Sequence, residues 1–192
     1  MRPVVFEAIV EHVFEFVYEH CRRCLEACGE HLLVFAVGDD FAGQRGLLLA
    51  PKVWRQIFKP RYARLFELGK RYGKYVQMHS CGNISAVLPD LVDSGLDIWQ
   101  TVQLHTLPMT PEQLKQRFGR NLTFFGGINT QRLAFQAPAQ VRNEVQRCIT
   151  ALGRQGGYIV SPDHMLKLDV PLDNIIALYE TAREFRAPGY TL

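Results

Sequence analysis

The sequence predicts an α/β fold built on a parallel sheet, and two observations predict it. Short apolar runs of strand length alternate with amphipathic stretches of helical period, in the order helix and then strand–helix five times. Each of the five runs also ends in polar or glycine-rich residues, so the groups able to do chemistry collect at one end of the strands. Chance placement would divide them between both ends.

Pro3 to Cys28 reads as one long helix, opened by a first-turn proline and ended by Gly29. Phe6, Ile9, Val10, Val13, Phe14, Val17, Cys21, Cys24 and Cys28 recur at three- and four-residue steps, forming one apolar face. The three thiols are expected to pack with that face against the sheet; a thiol-based metal cluster is the alternative. Leu32 to Val37 is a continuous apolar run, as in a strand buried on both faces. It ends in Gly38-Asp39-Asp40. Two adjacent carboxylates cannot both point inward, so one is expected in a pocket and one in the loop.

After the polar loop Phe41 to Gly46, Pro51 opens a helix expected to run to about Tyr72. Lys74 to Met78 alternates like a strand and leads into His79-Ser80-Cys81-Gly82-Asn83, with a short helix over Ile84 to Ser94 closed by Gly95. Leu96 to Trp99 is the next strand and runs into Gln100 to His105. Thr110-Pro111-Glu112-Gln113 has the pattern of a capped helix start. Asn121 to Phe125 is a strand stopped by Gly126-Gly127, and Pro138 to Gly153 is a helix with Val141, Val145, Cys148, Ile149 and Leu152 on one side. Gly157 to Val160 is the last strand, and Pro171 opens a final helix through Phe185. No linker or low-complexity stretch interrupts the series, so residues 1–192 read as a single domain.

Composition narrows the function classes. The chain has 192 residues, 47% of them hydrophobic and 21% charged, ordinary values for a globular protein. The net charge of +3 is scattered, without the basic stripe that nucleic acid requires. No apolar run approaches the ~20 residues of a membrane helix. Glu7, Glu11, Glu15 and Glu19 exclude a signal peptide at the N-terminus. Five cysteines in no framework spacing point to reduced thiols and a cytoplasmic location.

The sharpest chemical signal is His79-Ser80-Cys81. Side chains two residues apart on an extended backbone leave the same face, which sets an imidazole beside a thiol at a strand end. That pair suits Zn²⁺, though it equally suits a buried Cys beside a hydrogen-bonded His. Asp39 and Asp40 are candidates for proton donation or for holding a substrate, and Arg45 for clamping a carboxylate or phosphate. Asn129 and Gln131, after Gly126-Gly127, are candidates for hydrogen bonding a ligand or for capping a helix. His105 and Lys167 read as surface residues.

Three stretches in order carry a resemblance: His79-Ser80-Cys81-Gly82-Asn83; Phe125-Gly126-Gly127-Ile128-Asn129-Thr130-Gln131; and Gly157 to His164 followed by Asp169-Val170-Pro171-Leu172-Asp173-Asn174-Ile175. Together they resemble the uroporphyrinogen decarboxylase superfamily, nearest the branch that includes corrinoid-linked methyltransferases, from about Leu32 to Phe185. The resemblance implies a (β/α)₈ TIM-type barrel, of which this chain would supply five of eight strands, the missing ones being absent or carried by another chain. It implies a zinc ion on His79, Cys81 and a third position that falls at His164. The residue reading adds Asp39 as a pocket carboxylate and a small-molecule substrate held by Asp40, Arg45, Asn129 and Gln131. The reaction would be methyl transfer to a thiol, with the corrinoid on a partner protein. Alternatively, the resemblance implies metal-free decarboxylation of uroporphyrinogen side chains with His164 holding the tetrapyrrole, or a chain that is inactive except as a subunit.

Overall fold

The computed structural model describes residues 3–185; the remaining termini of the single-domain reading lie outside them. The long first helix, α1, spans Pro3–Cys28 as its apolar period predicts. Five strands follow in the sheet: β1 (Val34–Gly38), β4 (Tyr75–His79), β5 (Ile98–Val102), β6 (Thr123–Ile128) and β7 (Tyr158–Pro162). Between β1 and β4 a small antiparallel hairpin intervenes, β2 (Ala42–Gly43) with β3 (Gly46–Leu47), which the sequence reads as a plain loop. The main sheet has the order β1-β4-β5-β6-β7, and every neighbouring pair is parallel. This is the sheet of a partial TIM-type barrel, with the strands in sequential order.

The helices are α2 (Pro51–Ile57), α3 (Lys59–Arg71), α4 (Leu88–Asp93), α5 (Pro111–Phe118), α6 (Thr130–Leu133), α7 (Pro138–Leu152) and α8 (Leu172–Glu184). The helix expected from Pro51 to Tyr72 is two helices. Pro60 lacks an N–H and its ring crowds the preceding turn, so the chain breaks at Phe58 and restarts. At α5 the predicted cap is present: the Thr110 side chain accepts from Gln113 N at 3.3 Å and the Gln113 side chain accepts from Thr110 N at 2.9 Å. Each strand begins one or two residues later than its apolar run, because the parallel ladder continues into polar or glycine residues such as His79, Gln100 and Gly126.

Alternation along the strands sorts the two faces of the sheet. Val76, Met78, Trp99 and Phe124 are fully buried under the helices, whereas Tyr75 and Ile159 stand exposed on the opposite, concave face. On that concave face Gln77 donates to Gln100 at 3.1 Å. The core has two parts. One lies under α2 to α5 around Trp54, Phe66 and Trp99; the other lies between α7 and α8 around Val145, Cys148 and Leu178.

The expectation for the three thiols is corrected. α1 buries only Phe14 and Leu25 at full depth, Cys21 is half-buried, and Cys24 and Cys28 are exposed. The helix is rotated by its polar anchors. Arg61 and Arg64 of α3 bind Glu11 and Glu15, Arg71 donates to Tyr18 at 2.7 Å, and the Arg64 guanidinium lies 4.7 Å from the Phe14 ring centroid. These contacts turn the Phe14 edge of the stripe towards α3 and leave Ile9, Val13 and Val17 exposed.

Close approach of α3 to the sheet depends on Gly69. A Cβ there would lie 2.6 Å from Cδ1 of the buried Phe35 and 3.1 Å from Val76 Cγ2. Gly69→Ala gains about 1 kcal/mol of helix propensity but loses about 1–3 kcal/mol to overpacking, and the contact is tight enough for the loss to win. The expected net destabilisation, about 1 kcal/mol, is measurable by urea unfolding; a variant as stable as the parent would show that α3 can move away from β1 at no cost.

Candidate metal and thiol site

The parallel sheet delivers its polar residues to one rim. At the end of β1, Asp39 and Asp40 separate as expected of adjacent carboxylates. Asp39 turns towards α3, where its Oδ2 accepts a hydrogen bond from the Tyr62 hydroxyl. Burial, with the Asp39 charge beside it, raises the Tyr62 hydroxyl well beyond the ordinary tyrosine range, so it stays a donor. Asp40 turns towards the end of β4. Its Oδ1 accepts from Cys81 N at 2.8 Å and lies 3.7 Å from His79 Nε2. The Cys81 Sγ is 3.5 Å from the same ring nitrogen.

Asp40, His79 and Cys81 therefore present one donor atom each, all within 4.8 Å of one another. His164 does not complete this group: its ring nitrogens do not come within 4.8 Å of both the His79 and Cys81 donors. The side chain of His164 instead lines a cavity of about 420 Å³ beside β5 to β7, together with Gln103, Thr130 and Gln131. The third place beside the His–Cys pair is filled from β1, a strand some forty residues earlier in the chain by the spacing of Asp40 and Cys81.

The loop carrying Cys81 is fixed from three directions. Gly82 has φ +80°, and a Cβ would sit 2.5 Å from Gly43 O in the β2–β3 hairpin. Asn83 N donates to that same carbonyl at 2.9 Å. Gly82 N donates to the Gln103 side chain at 2.7 Å, joining the Cys81 loop to the wall of the cavity. Asn83 itself caps the turn that follows, its Oδ1 accepting from Ser85 N at 3.1 Å.

Across the rim sits a second carboxylate. Asp163 is 1% exposed. Its Oδ1 accepts from Thr130 N and Thr130 Oγ1 at 3.0 and 2.7 Å. Its Oδ2 lies 3.3 Å from His105 Nδ1, in ion-pair range but off hydrogen-bond geometry. His105 is exposed, as its loop suggests, with a buried carboxylate oxygen beside its ring. No sequence pattern links Asp163 to His105, 58 positions apart. Of the remaining candidates, Arg45 is exposed at the tip of the hairpin and Gln131 is exposed on the cavity wall. Asn129 is the N-cap of α6: its Oδ1 accepts from Gln131 N at 2.9 Å, so its hydrogen-bonding oxygen is committed to the fold.

Electrostatics keep the Cys81 thiol protonated. Burial first, then the charges of Asp40 and Asp163, push it up to about 11. A cation between these groups would reverse that balance, since every charge that raises the thiol would then face a positive ion.

With this geometry in hand, known proteins place the chain. The family model for uroporphyrinogen decarboxylase (URO-D) matches residues 1–185. The chain belongs to the uroporphyrinogen decarboxylase family. Within the family it is 26% identical, over 189 residues, to the methylated-thiol–coenzyme M methyltransferase of Methanosarcina mazei; the match covers 98% of this chain and 47% of that protein. A solved methyltransferase from Methanosarcina mazei shares the fold, with a TM-score of 0.69 at 21% identity, over 90% of this chain and 47% of that one. The chain thus spans about half the length of the relatives it matches. As a URO-D family module it is related to a methyltransferase, and among its described residues no helix is long and apolar enough to cross a membrane.

Alkylation of Cys81 in metal-free protein, followed by peptide mass mapping, should quicken about tenfold per pH unit until it levels near 11, because only the thiolate reacts. Asp40→Asn removes the nearest negative charge and should shift that midpoint down. An unchanged midpoint would mean that burial and Asp163 hold the thiol without Asp40.

Proposed function

We propose that Asp40, His79 and Cys81 hold a zinc ion and that the chain is the thiol-activating module of a methyl-transfer enzyme. The single observation behind this reading is the cluster of three donor atoms within 4.8 Å at the open rim of a parallel sheet. One oxygen, one nitrogen and one sulfur are a donor set suited to borderline-soft Zn²⁺, and three protein ligands with room for a fourth is the arrangement of catalytic zinc. The ion would supply positive charge that holds a substrate thiol as its thiolate, the nucleophile that methyl transfer needs.

The chain's own residues prepare that step. Asp40 and ionised Cys81 contribute two negative charges, which match a dication. Gln103, through Gly82 N, holds the Cys81 loop in register with the cavity, where a small thiol or methylated thiol would be received. His105, with Asp163 Oδ2 3.3 Å from its Nδ1, would stand across the rim from the bound thiol. The relative whose name states methylated-thiol and coenzyme M chemistry supports the substrate class. A corrinoid methyl donor would ride on a separate protein and approach the open rim.

Elemental mass spectrometry on the purified chain tests the reading. Near-stoichiometric zinc is expected, lost in Cys81→Ser and Asp40→Ala and retained in His164→Ala and Asp39→Asn. Folded protein without zinc, or zinc retained in Cys81→Ser, overturns it. Below about 11 binding must release the Cys81 proton, so apparent zinc affinity should rise about tenfold per pH unit above the ordinary histidine range. A titration with a chromophoric chelator at several pH values reads that slope.

A further inference from the structure

Lys167-Leu168-Asp169-Val170, in the loop from β7 to α8, forms a β-turn closed by Val170 N donating to Lys167 O at 3.2 Å. Lys167 takes the first position of the turn and Asp169 the third, and both side chains line the cavity beside β5 to β7. Both are exposed, and among the described residues neither side chain has an ion pair or a hydrogen bond, nor do the two pair with each other. One positive and one negative group thus stand side by side on one wall, each open to a ligand.

The rest of the lining sets a donor and an apolar stretch against that charge pair. Gln103 is 8% exposed, and its Oε1 is taken by Gly82 N at 2.7 Å, so its amide nitrogen, without a partner among the described residues, is left as a donor on the side of the cavity joined to the Cys81 loop. Phe135 and Met165 bring large apolar side chains to the same cavity, 89% and 71% exposed. The volume of about 420 Å³ lies in the range that holds a whole metabolite, roughly 300–1,000 Å³. A ligand that answers all of this carries opposite charges close together at one end and a short apolar chain beyond them, as an α-amino acid does.

We infer that the cavity binds the zwitterionic end of a sulfur-containing α-amino acid, its carboxylate at Lys167 and its ammonium at Asp169, with the side-chain sulfur directed to the Cys81 loop. The direction of the sulfur rests on the thiol-activating function proposed above; the recognition of the zwitterion does not. A thiol with only an anionic tail fits less well, since it meets Lys167 and also the Asp169 carboxylate two residues on, a like charge with nothing to offset it.

Three thioethers, which need no thiolate, test the assignment: L-methionine; 4-(methylthio)butanoate, which lacks the ammonium; and 2-(methylthio)ethanesulfonate, an anionic tail alone. Each is titrated calorimetrically into the full 192-residue chain, as purified and after chelator treatment. L-Methionine is expected to bind about fivefold or more tighter than either anion under both conditions, and to shift the Met165 methyl resonance. Asp169→Asn should bring L-methionine to the level of 4-(methylthio)butanoate, and Lys167→Gln should weaken all three. Both substitutions fall on exposed turn positions, so the variants should fold. Equal binding of L-methionine and 4-(methylthio)butanoate overturns the inference, as does a preference that survives in Asp169→Asn or a folded chain that binds no L-methionine. Tightest binding of the sulfonate assigns the cavity to an anionic thiol and also overturns it. A chain that holds no zinc but keeps the preference for L-methionine supports the inference and overturns the metal reading alone; a chain that holds zinc without the preference does the reverse.

Discussion

Parallel pairing of the five strands governs the rest of the molecule. A parallel neighbour cannot be reached by a tight turn, so each strand is followed by a helix that returns the chain to the starting edge. All carboxyl ends then share one rim, whatever their order in sequence. Asp40, His79, Gln103, Thr130 and Asp163 come from five different strand ends and meet there for that reason alone.

Precision at the rim comes from short contacts around the Cys81 loop. Gly82 takes a backbone conformation, and a separation from Gly43, that any side chain would deny. The small β2–β3 hairpin thereby becomes part of the site, although none of its side chains is a donor in the cluster. Asp40, just ahead of that hairpin, is held by Cys81 N as well as being positioned to ligate. Carboxylate, imidazole and thiol are thus brought together by the protein's own contacts, with the thiol held well above its ordinary range.

Much of the fold was legible in the residues. α1 begins and ends as Pro3 and Gly29 indicate, the Thr110 cap forms with its Gln113 partner, and the five apolar runs each become a strand. Less legible were the features set by a single proline or by polar residues inside a ladder: the break at Phe58, and strands that continue to His79 and Ile128. Anchoring of α1 was hidden too, because Arg61, Arg64 and Arg71 lie far from it in sequence and only packing shows that they turn its apolar face outward.

At the site, the sequence by itself determined that Asp39 and Asp40 must part and set His79 and Cys81 two residues apart; β4 ends at His79, so the Cys81 loop, held by Asp40, Gly43 and Gln103, is what brings the thiol to 3.5 Å from the ring. Only the tertiary structure decided which carboxylate joins the pair. Asp39 is taken by the Tyr62 hydroxyl of α3, Asp40 is drawn to Cys81 N, and His164 is placed on the wall of a neighbouring cavity. The Asp163–His105 pairing was likewise decided in three dimensions. Local spacing fixes the direction a side chain leaves its own strand, whereas the distance between side chains on different strands depends on sheet order and on the loops that carry them.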